Sequence, residues 1–422
     1  MDSNAYINFL AMPFAQRLKQ QYAFFEEESK KGYMVGRMGS GPVGTHMPYR
    51  TLDGGRFEDV LIFGSNNYLN LNNHPHVIEK VMEAVKQYGV GTGGSPAFSG
   101  YTEQHHELEQ RLAALSGHED ALLLPGGYMA NLCFVNGLMT RNDVLLYDKY
   151  SHASVLNAIK MTGVQFFPYD PEDLEEYQRL IAHIRDRRGP DVTIFSTVEG
   201  VRSIDGTVID LHWYVEISRQ NNIVIILDDA HGMGVLGKRG WGTLEQLGLM
   251  GQVDVRMSTC SKGLGAQGAF LTGSRETIFY LRSNSKPYVF TTGMAHPTVA
   301  AISAALDVLE QEPQRIRRLH ENVAYMQDRL EENGFAIKRG GTGIIPVFLP
   351  DGIAGKFNVE IYRQGIFANV MEYPMVPPGM ERIRLSLMAD HTRQQIDRVI
   401  DIFMETGRKF KVFEKGDLQC TA

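Results

Sequence analysis

Cysteine is scarce in this chain: three in 422 residues, at positions 133, 260 and 420, odd in number and far apart. That excludes a disulfide-stapled secreted scaffold, and the lack of paired ligand spacing leaves no metal site to expect. A reducing cytoplasm is the expected home. Long apolar runs are missing as well. Nothing approaches the roughly 18 residues that a membrane-spanning helix needs, so no integral membrane segment is expected. The opening stretch MDSNAYINFLAMPF also lacks the basic start and apolar centre of a secretory signal. Nor is positive charge in surplus. Lys and Arg number 42 against 49 Asp and Glu, a net charge of −7, which argues against a nucleic-acid binder that gains affinity by neutralising phosphates.

What remains is an ordinary globular composition, 43% hydrophobic and 22% charged, somewhat rich in its 43 glycines. At about 150 residues per domain the length suits two or three units. From residue 58 onward, short aliphatic runs alternate with helical periodicity, the pattern of an α/β domain with a largely parallel sheet. Strands are predicted over 120–124, 143–147, 164–168, 191–197, 222–227, 255–258 and 269–272. Ile78, Val81, Met82 and Val85 form an i, i+3, i+4, i+7 stripe, as do Leu174, Tyr177, Ile181 and Ile184, and both read as helices covering the sheet. A helix from Pro297 ends where Pro313 cannot continue it. Beyond it a smaller α+β unit is expected, with a helix over 314–333, strands over 335–338, 344–349 and 382–387, and a final helix carrying Ile396, Val399, Ile400 and Phe403. The expected division is an N-terminal arm (1–57), a large domain (58–312) and a small C-terminal domain (313–422). Within the arm, 14–32 reads as an amphipathic helix packed on the protein itself.

Two segments carry chemistry. The apolar run 222–227 ends in Asp228-Asp229-Ala230-His231-Gly232, placing two carboxylates and an imidazole at the carboxyl edge of a parallel sheet, where open α/β folds bind ligands. A helix cap with a surface histidine would explain it equally simply. Thirty-four residues after Asp228 stands Lys262, in Ser258-Thr-Cys-Ser-Lys-Gly-Leu-Gly265. An amine in a tight polar turn, partly buried, becomes a nucleophile; a solvated turn lysine is the plainer alternative. Together the two suggest pyridoxal phosphate, which needs an attaching lysine, a carboxylate for its pyridinium nitrogen and donors for its phosphate.

From about residue 60 to 405 the chain resembles the α-oxoamine synthases, fold-type I pyridoxal phosphate enzymes. The resemblance rests on GSNNYLNL (64–71), GTGGSPAFSG (91–100), GGYMAN (126–131), SHAS (151–154), EGVRSIDG (199–206), DDAHGMGVLGKRGWG (228–242), STCSKGLG (258–265) and RLSLMADHT (384–392), in that order. It implies a large, mostly parallel sheet domain with a small α+β C-terminal domain. It also implies that Lys262 holds the cofactor as a Schiff base and later moves the α-proton, and that Asp228 pairs with the pyridine nitrogen. His231 and Ser203 are implied to address the phenolic oxygen, while His152 stacks over the ring. The phosphate falls to the amides of Gly127 and Tyr128 and the hydroxyl of Thr259. A further hydroxyl, from Thr291 or Thr292, comes from a second subunit, so the implied assembly is a homodimer with a shared active site. Arg384, assisted by Asn66 or Asn67, is implied to hold the amino-acid carboxylate.

The implied reaction condenses a small amino acid with an acyl thioester, carried by coenzyme A or an acyl carrier protein, releasing CO2 and leaving an α-amino ketone. The wording of the motifs is most similar to bacterial serine palmitoyltransferases. Alternatives are 8-amino-7-oxononanoate synthase, 2-amino-3-ketobutyrate ligase and synthases of specialised metabolism. A fold-type I aminotransferase and a non-catalytic partner subunit stand as alternatives of other classes. Departures from the family pattern are Pro96, Pro125, Arg202 and Met375.

Overall fold

The computed structural model describes residues 11–31, 37–51, 55–373 and 375–413. Cys420 and the end of the expected 14–32 helix, Gly32, lie outside the described residues. The chain divides into two compact units, Asn66–Leu319 and a second drawn from both ends, Met1–Ser65 with His320–Ala422.

The central unit is built on a seven-stranded sheet. Its spatial order is Asp120–Leu124, Ala269–Gly273, Val255–Thr259, Ile223–Asp228, Ile194–Glu199, Val144–Asp148, Gln165–Tyr169. Ala269–Gly273 runs antiparallel to both neighbours; the other pairings are parallel. Along Ile223–Asp228 the side chains alternate between two cores. Ile226 packs with Ala130 and Phe134 of the helix Gly127–Leu138, while Ile225 and Leu227 pack with Tyr177 and Tyr214 on the other face. This double burial explains why the strand reads as an unbroken aliphatic run.

The helix Leu174–Arg188 buries Tyr177, Ile181 and Ile184 as the periodicity predicts. The helix Pro75–Tyr88 does not follow its stripe. Its buried residues are Val77 and Ala84, and it packs against the helix His296–Gln311, whereas Ile78, Met82 and Val85 are 46%, 55% and 38% exposed. Small residues on the inner face let two helices approach closely. The larger apolar residues are thereby turned outward, and the expectation that they cover the sheet is corrected.

The other unit holds a four-stranded sheet, Arg37–Gly39, His46–Thr51, Arg56–Ile62 and Ile366–Phe367, and a three-stranded one, Ile344–Phe348, Arg382–Ser386 and Asn369–Met371. The strand expected over 335–338 is absent: Ile337 makes one isolated bridge to Val347, and Phe335 turns its ring edge-on to Phe403. Core packing rather than a ladder produced that short apolar signal. The helix Arg393–Lys409 buries Ile396, Val399, Ile400 and Phe403 behind a Thr392/Gln395 capping box. His391, from the last shared motif, accepts from Met388 N–H, reaches Ile62 O at 3.1 Å and stacks on Phe63. Burial holds its ring at a pKa of about 3, so it is a neutral structural brace. Helix Phe14–Lys31 leaves Phe14, Leu18 and Tyr22 exposed, not packed inward as expected. Among the described residues no helix is long and apolar enough to cross a membrane, and no acidic, histidine or cysteine cluster could hold a metal.

Candidate active site

Four adjacent parallel strands end in Asp148, Glu199, Asp228 and Thr259. Their carboxyl edge opens into a cleft of about 170 Å³ lined, among others, by Gly127, His152, Ser203, His231 and Lys262. The parallel register sets Glu199 opposite Asp228 and Asp228 opposite Met257.

Lys262 and His231 come from different segments and meet because glycine lets the backbones touch. Gly234 has φ of +78°, and a Cβ there would lie 2.8 Å from the Cα of Gly263. With the two segments pressed together, Lys262 Nζ stands 2.8 Å from His231 Nε2, and His231 Nδ1 lies 2.8 Å from the hydroxyl of Tyr68.

Asp228 is buried. One carboxylate oxygen accepts from Ala230 N–H at 3.1 Å and the other from the Asn131 amide at 3.2 Å. Both donors are neutral. Burial pushes its pKa up, opposed by the nearby Lys262 charge and the Asn131 hydrogen bond. Asn131 also donates to Ser154 Oγ at 2.8 Å, and Ser154 Oγ lies 2.7 Å from His152 Nδ1. Because the Ser154 amide also donates to that nitrogen, His152 caps the helix Ala153–Thr162 with its imidazole. Burial lowers the His152 pKa, which keeps the ring neutral. On the opposite side Glu199 accepts from the amides of His152 (2.9 Å) and Ser203 (3.3 Å), tying two of the shared motifs together. Burial raises its pKa well above the carboxylate range, and the charges of Asp228 and Asp148 add to the effect.

Gly127 opens the helix Gly127–Leu138, whose N-cap, Gly126, has no capping side chain. The first-turn amides of Gly127 and Tyr128 therefore have no acceptor within the helix and suit an anion. Thr259 borders Gly127, its hydroxyl 2.9 Å from that of Ser261.

The cleft thus unites Lys262, His231, Asp228, His152, Ser203, Gly127, Tyr128 and Thr259. Thr291 and Thr292 line a separate cavity with Pro125 and Gln267. Asn67 donates to Asn70 and Asn72, binding its own turn, and Asn66 accepts from Tyr68 at 3.4 Å. Arg384 belongs to the other compact unit, buried on the strand Arg382–Ser386 and donating to Ser386 Oγ. The unusual Arg202 pairs with Glu172 and Asp205 and lies over the Tyr150 ring, a structural use of the position. Sequence reasoning passed over Tyr68, Asn131, Ser154 and Glu199. All four lie inside the shared motifs, but their partners are distant in the chain.

Pyridoxal phosphate fits this donor set. The buried Asp228 carboxylate has no ion pair among the described residues, and the Asn131 carbonyl oxygen beside it is buried without a hydrogen-bond partner. Both features suit a cationic ring N–H, with the uncapped helix start available to an anionic group.

The class I and II aminotransferase profile matches residues 58–403. The 8-amino-7-oxononanoate synthase 1 of Bacillus subtilis is 33% identical over 84% of this chain and 90% of its own length. Among solved structures, the serine palmitoyltransferase of Sphingomonas wittichii superposes with a TM-score of 0.87 at 25% identity, over 95% of this chain and all of that one. Another serine palmitoyltransferase, solved with pyridoxal phosphate, gives 0.88 at 25% identity with the same coverage. The chain belongs to the class I and II aminotransferase family, as a fold-type I pyridoxal phosphate acyltransferase of the α-oxoamine synthase group.

Proposed function

We propose that this enzyme joins the α-carbon of a small amino acid to the acyl group of a thioester, releasing the amino-acid carboxylate as CO2 and the carrier as a thiol. The observation that carries the reading is one cleft holding the Lys262–His231 pair beside the buried Asp228 carboxylate. Pyridoxal phosphate, when bound, supplies an electron sink for the carbanion formed at the α-carbon.

Each residue then has a task. Lys262 holds the cofactor through its amine and, once released, takes and returns the α-proton. His231, beside the lysine amine, meets the phenolic oxygen of the cofactor. Asp228 keeps the ring nitrogen protonated, since a carboxylate at hydrogen-bond distance favours the charged form. His152, neutral and fixed by Ser154, covers a ring face, and Ser203 meets the phenolic oxygen. The amides of Gly127 and Tyr128 and the Thr259 hydroxyl take the phosphate. Arg384 takes the substrate carboxylate with a planar fork, with Asn66 or Asn67 assisting.

The working unit is a homodimer in which Thr291 or Thr292 completes the partner's phosphate site. This is supported by their place in a separate cavity and by the outward apolar face of the helix Pro75–Tyr88. The enzyme is placed in the cytoplasm on its scarce cysteine. The preferred substrates are serine and a fatty acyl thioester, on the wording of the motifs. Alanine with a pimeloyl thioester is the second reading, favoured by the 33% identity to an oxononanoate synthase.

The test incubates purified enzyme with single amino acids and acyl-CoAs of graded length, reading free thiol, CO2 and amino ketone by mass spectrometry. Transamination without CO2 release overturns the condensation. Turnover with alanine and a dicarboxylic acyl group but not with serine selects the second substrate reading.

A further inference from the structure

Asp148 and Glu199 end two paired parallel strands, and neither has a task in the proposed reaction. Both are buried, 1% and 4% exposed, and a buried carboxyl group costs stability unless its oxygens take hydrogen bonds. Here the donors are backbone amides at and just beyond the strand ends. An amide N–H can only donate, so the direction of every bond is fixed.

Asp148 Oδ1 accepts from Tyr150 N–H at 2.8 Å, in its own loop, and Oδ2 accepts from Glu199 N–H at 3.4 Å, on the paired strand. Glu199 reaches back across the same pair. Its Oε1 accepts from His152 N–H at 2.9 Å, in the loop that follows Asp148, and its Oε2 from Ser203 N–H at 3.3 Å, four residues ahead in its own loop. The two strand ends are stitched together crosswise.

Each loop also has a bond of its own. Ser151 N–H bonds to Asp148 O at 2.9 Å, and Arg202 N–H to Thr207 O at 2.8 Å. Those bonds shape the loops one at a time, whereas the Glu199 carboxyl group spans from one to the other. The two residues it joins are the one proposed to cover a cofactor ring face and the one proposed to meet the phenolic oxygen. Because Ser154 fixes the His152 ring, placing the His152 backbone also places its imidazole.

We propose that Glu199 is a positioning residue that sets the spacing between His152 and Ser203, and so the seat of the cofactor ring. It works as a double acceptor, not as an acid or a base. Burial holds its pKa well above the carboxylate range, and a protonated carboxyl group still accepts on both oxygens. The inference rests on the proposed cofactor contacts of His152 and Ser203. It also implies that glutamine is no substitute: that side chain has one accepting oxygen and turns an NH2 group toward the second amide, donor against donor.

The experiment compares full-length wild-type protein with Glu199→Gln and with Glu199→Asp, whose side chain is one methylene too short to span both amides. Hydrogen–deuterium exchange is first read residue by residue, by fragmentation mass spectrometry, on cofactor-free protein. In each variant the amide of His152 or Ser203 is expected to exchange at least about tenfold faster, with the helix Leu174–Arg188 unchanged. Pyridoxal phosphate is then added. Its Kd is expected to rise about tenfold, and the visible circular dichroism of the bound cofactor, which reports how the ring is seated, to change. A packing role would move neither reading in Glu199→Gln, since glutamine fills the same volume.

Unchanged exchange at both amides in both variants overturns the inference. A rise that includes the helix Leu174–Arg188 is global loosening and overturns it too, as does faster local exchange with unchanged affinity and circular dichroism. The exchange measurement uses no cofactor, so its failure leaves the proposed function standing. Borohydride reduction followed by peptide mass spectrometry tests that function separately: cofactor trapped on a residue other than Lys262 defeats the site assignment and this inference with it.

Discussion

Two aspartates stand side by side at the end of one strand and live in opposite surroundings. Asp228 faces the cleft, receives hydrogen bonds from neutral groups, and lies beside an unused carbonyl oxygen of Asn131. Asp229 points to the other side, where Arg256 Nη2 lies 2.8 Å from its carboxylate with both side chains buried. It also takes Thr243 Oγ1 at 2.6 Å and the Thr243 amide at 3.2 Å. The first region is incomplete by itself and the second is closed. The strand pleat separates them, so one backbone segment carries a reactive carboxylate and the anchor that keeps it in place.

The contrast is broken most severely at the amine. Lys262→Ala is expected to lower condensation by about a thousandfold or more, because both attachment and proton transfer are lost. A spectrophotometer following thiol release measures this, and melting should be unchanged within about 1 kcal/mol. Next comes Asp228→Asn. Loss of the charge facing the ring nitrogen should cost about 10²–10³ in kcat at nearly constant fold stability. Full activity in that variant would refute the division of labour between the two aspartates.

Asp229→Asn should behave in reverse. Leaving Arg256 buried and unpaired costs about 3–5 kcal/mol, seen in denaturant or thermal melts. Activity per folded molecule at low temperature should fall far less than in Asp228→Asn. The smallest expected effect is on the pH dependence of stability. Burial raises Asp148 from its ordinary 3.8 to about 6. Between those values the folded protein binds a proton that the unfolded chain does not, so the contribution to stability is present below pH 4 and lost as pH rises through 6. Asp148→Asn should flatten that fall in the cofactor-free protein by about 3 kcal/mol or less, checked by melts across pH 4–8.

Much of the site was legible because its residues sit at the ends of recognisable strands and in segments where glycine marks close backbone approach. Lys262, Asp228 and His231 could each be singled out that way, whereas His152, in a loop after the strand, was reached only through the family resemblance. Asn131, Ser154, Glu199 and Tyr68 could not: a buried hydrogen bond between residues 97 or 163 apart leaves no local pattern. Helix Pro75–Tyr88 shows the complementary limit. Its 3.6-residue stripe correctly gave a helix but not the side that faces inward, since Val77 and Ala84 carry little hydrophobic signal beside Ile78 and Met82. Around residue 335, two core-facing apolar side chains mimicked strand alternation.

The antiparallel strand in the large sheet has a mechanical consequence. Lys262 rides in the connection between Val255–Thr259 and Ala269–Gly273, which pair directly, Thr259 opposite Ala269. Within the connection Cys260 N–H bonds to Gly268 O, and Ala266 N–H to Cys260 O. The amine is therefore mounted on a bracket fixed at both ends. Letting go of the cofactor and catching it again calls for rotation about the lysine's own four methylenes, with no loop to melt and rebuild in each cycle. The reach of the amine is then a property of one side chain, and its rotation is fast beside enzyme turnover.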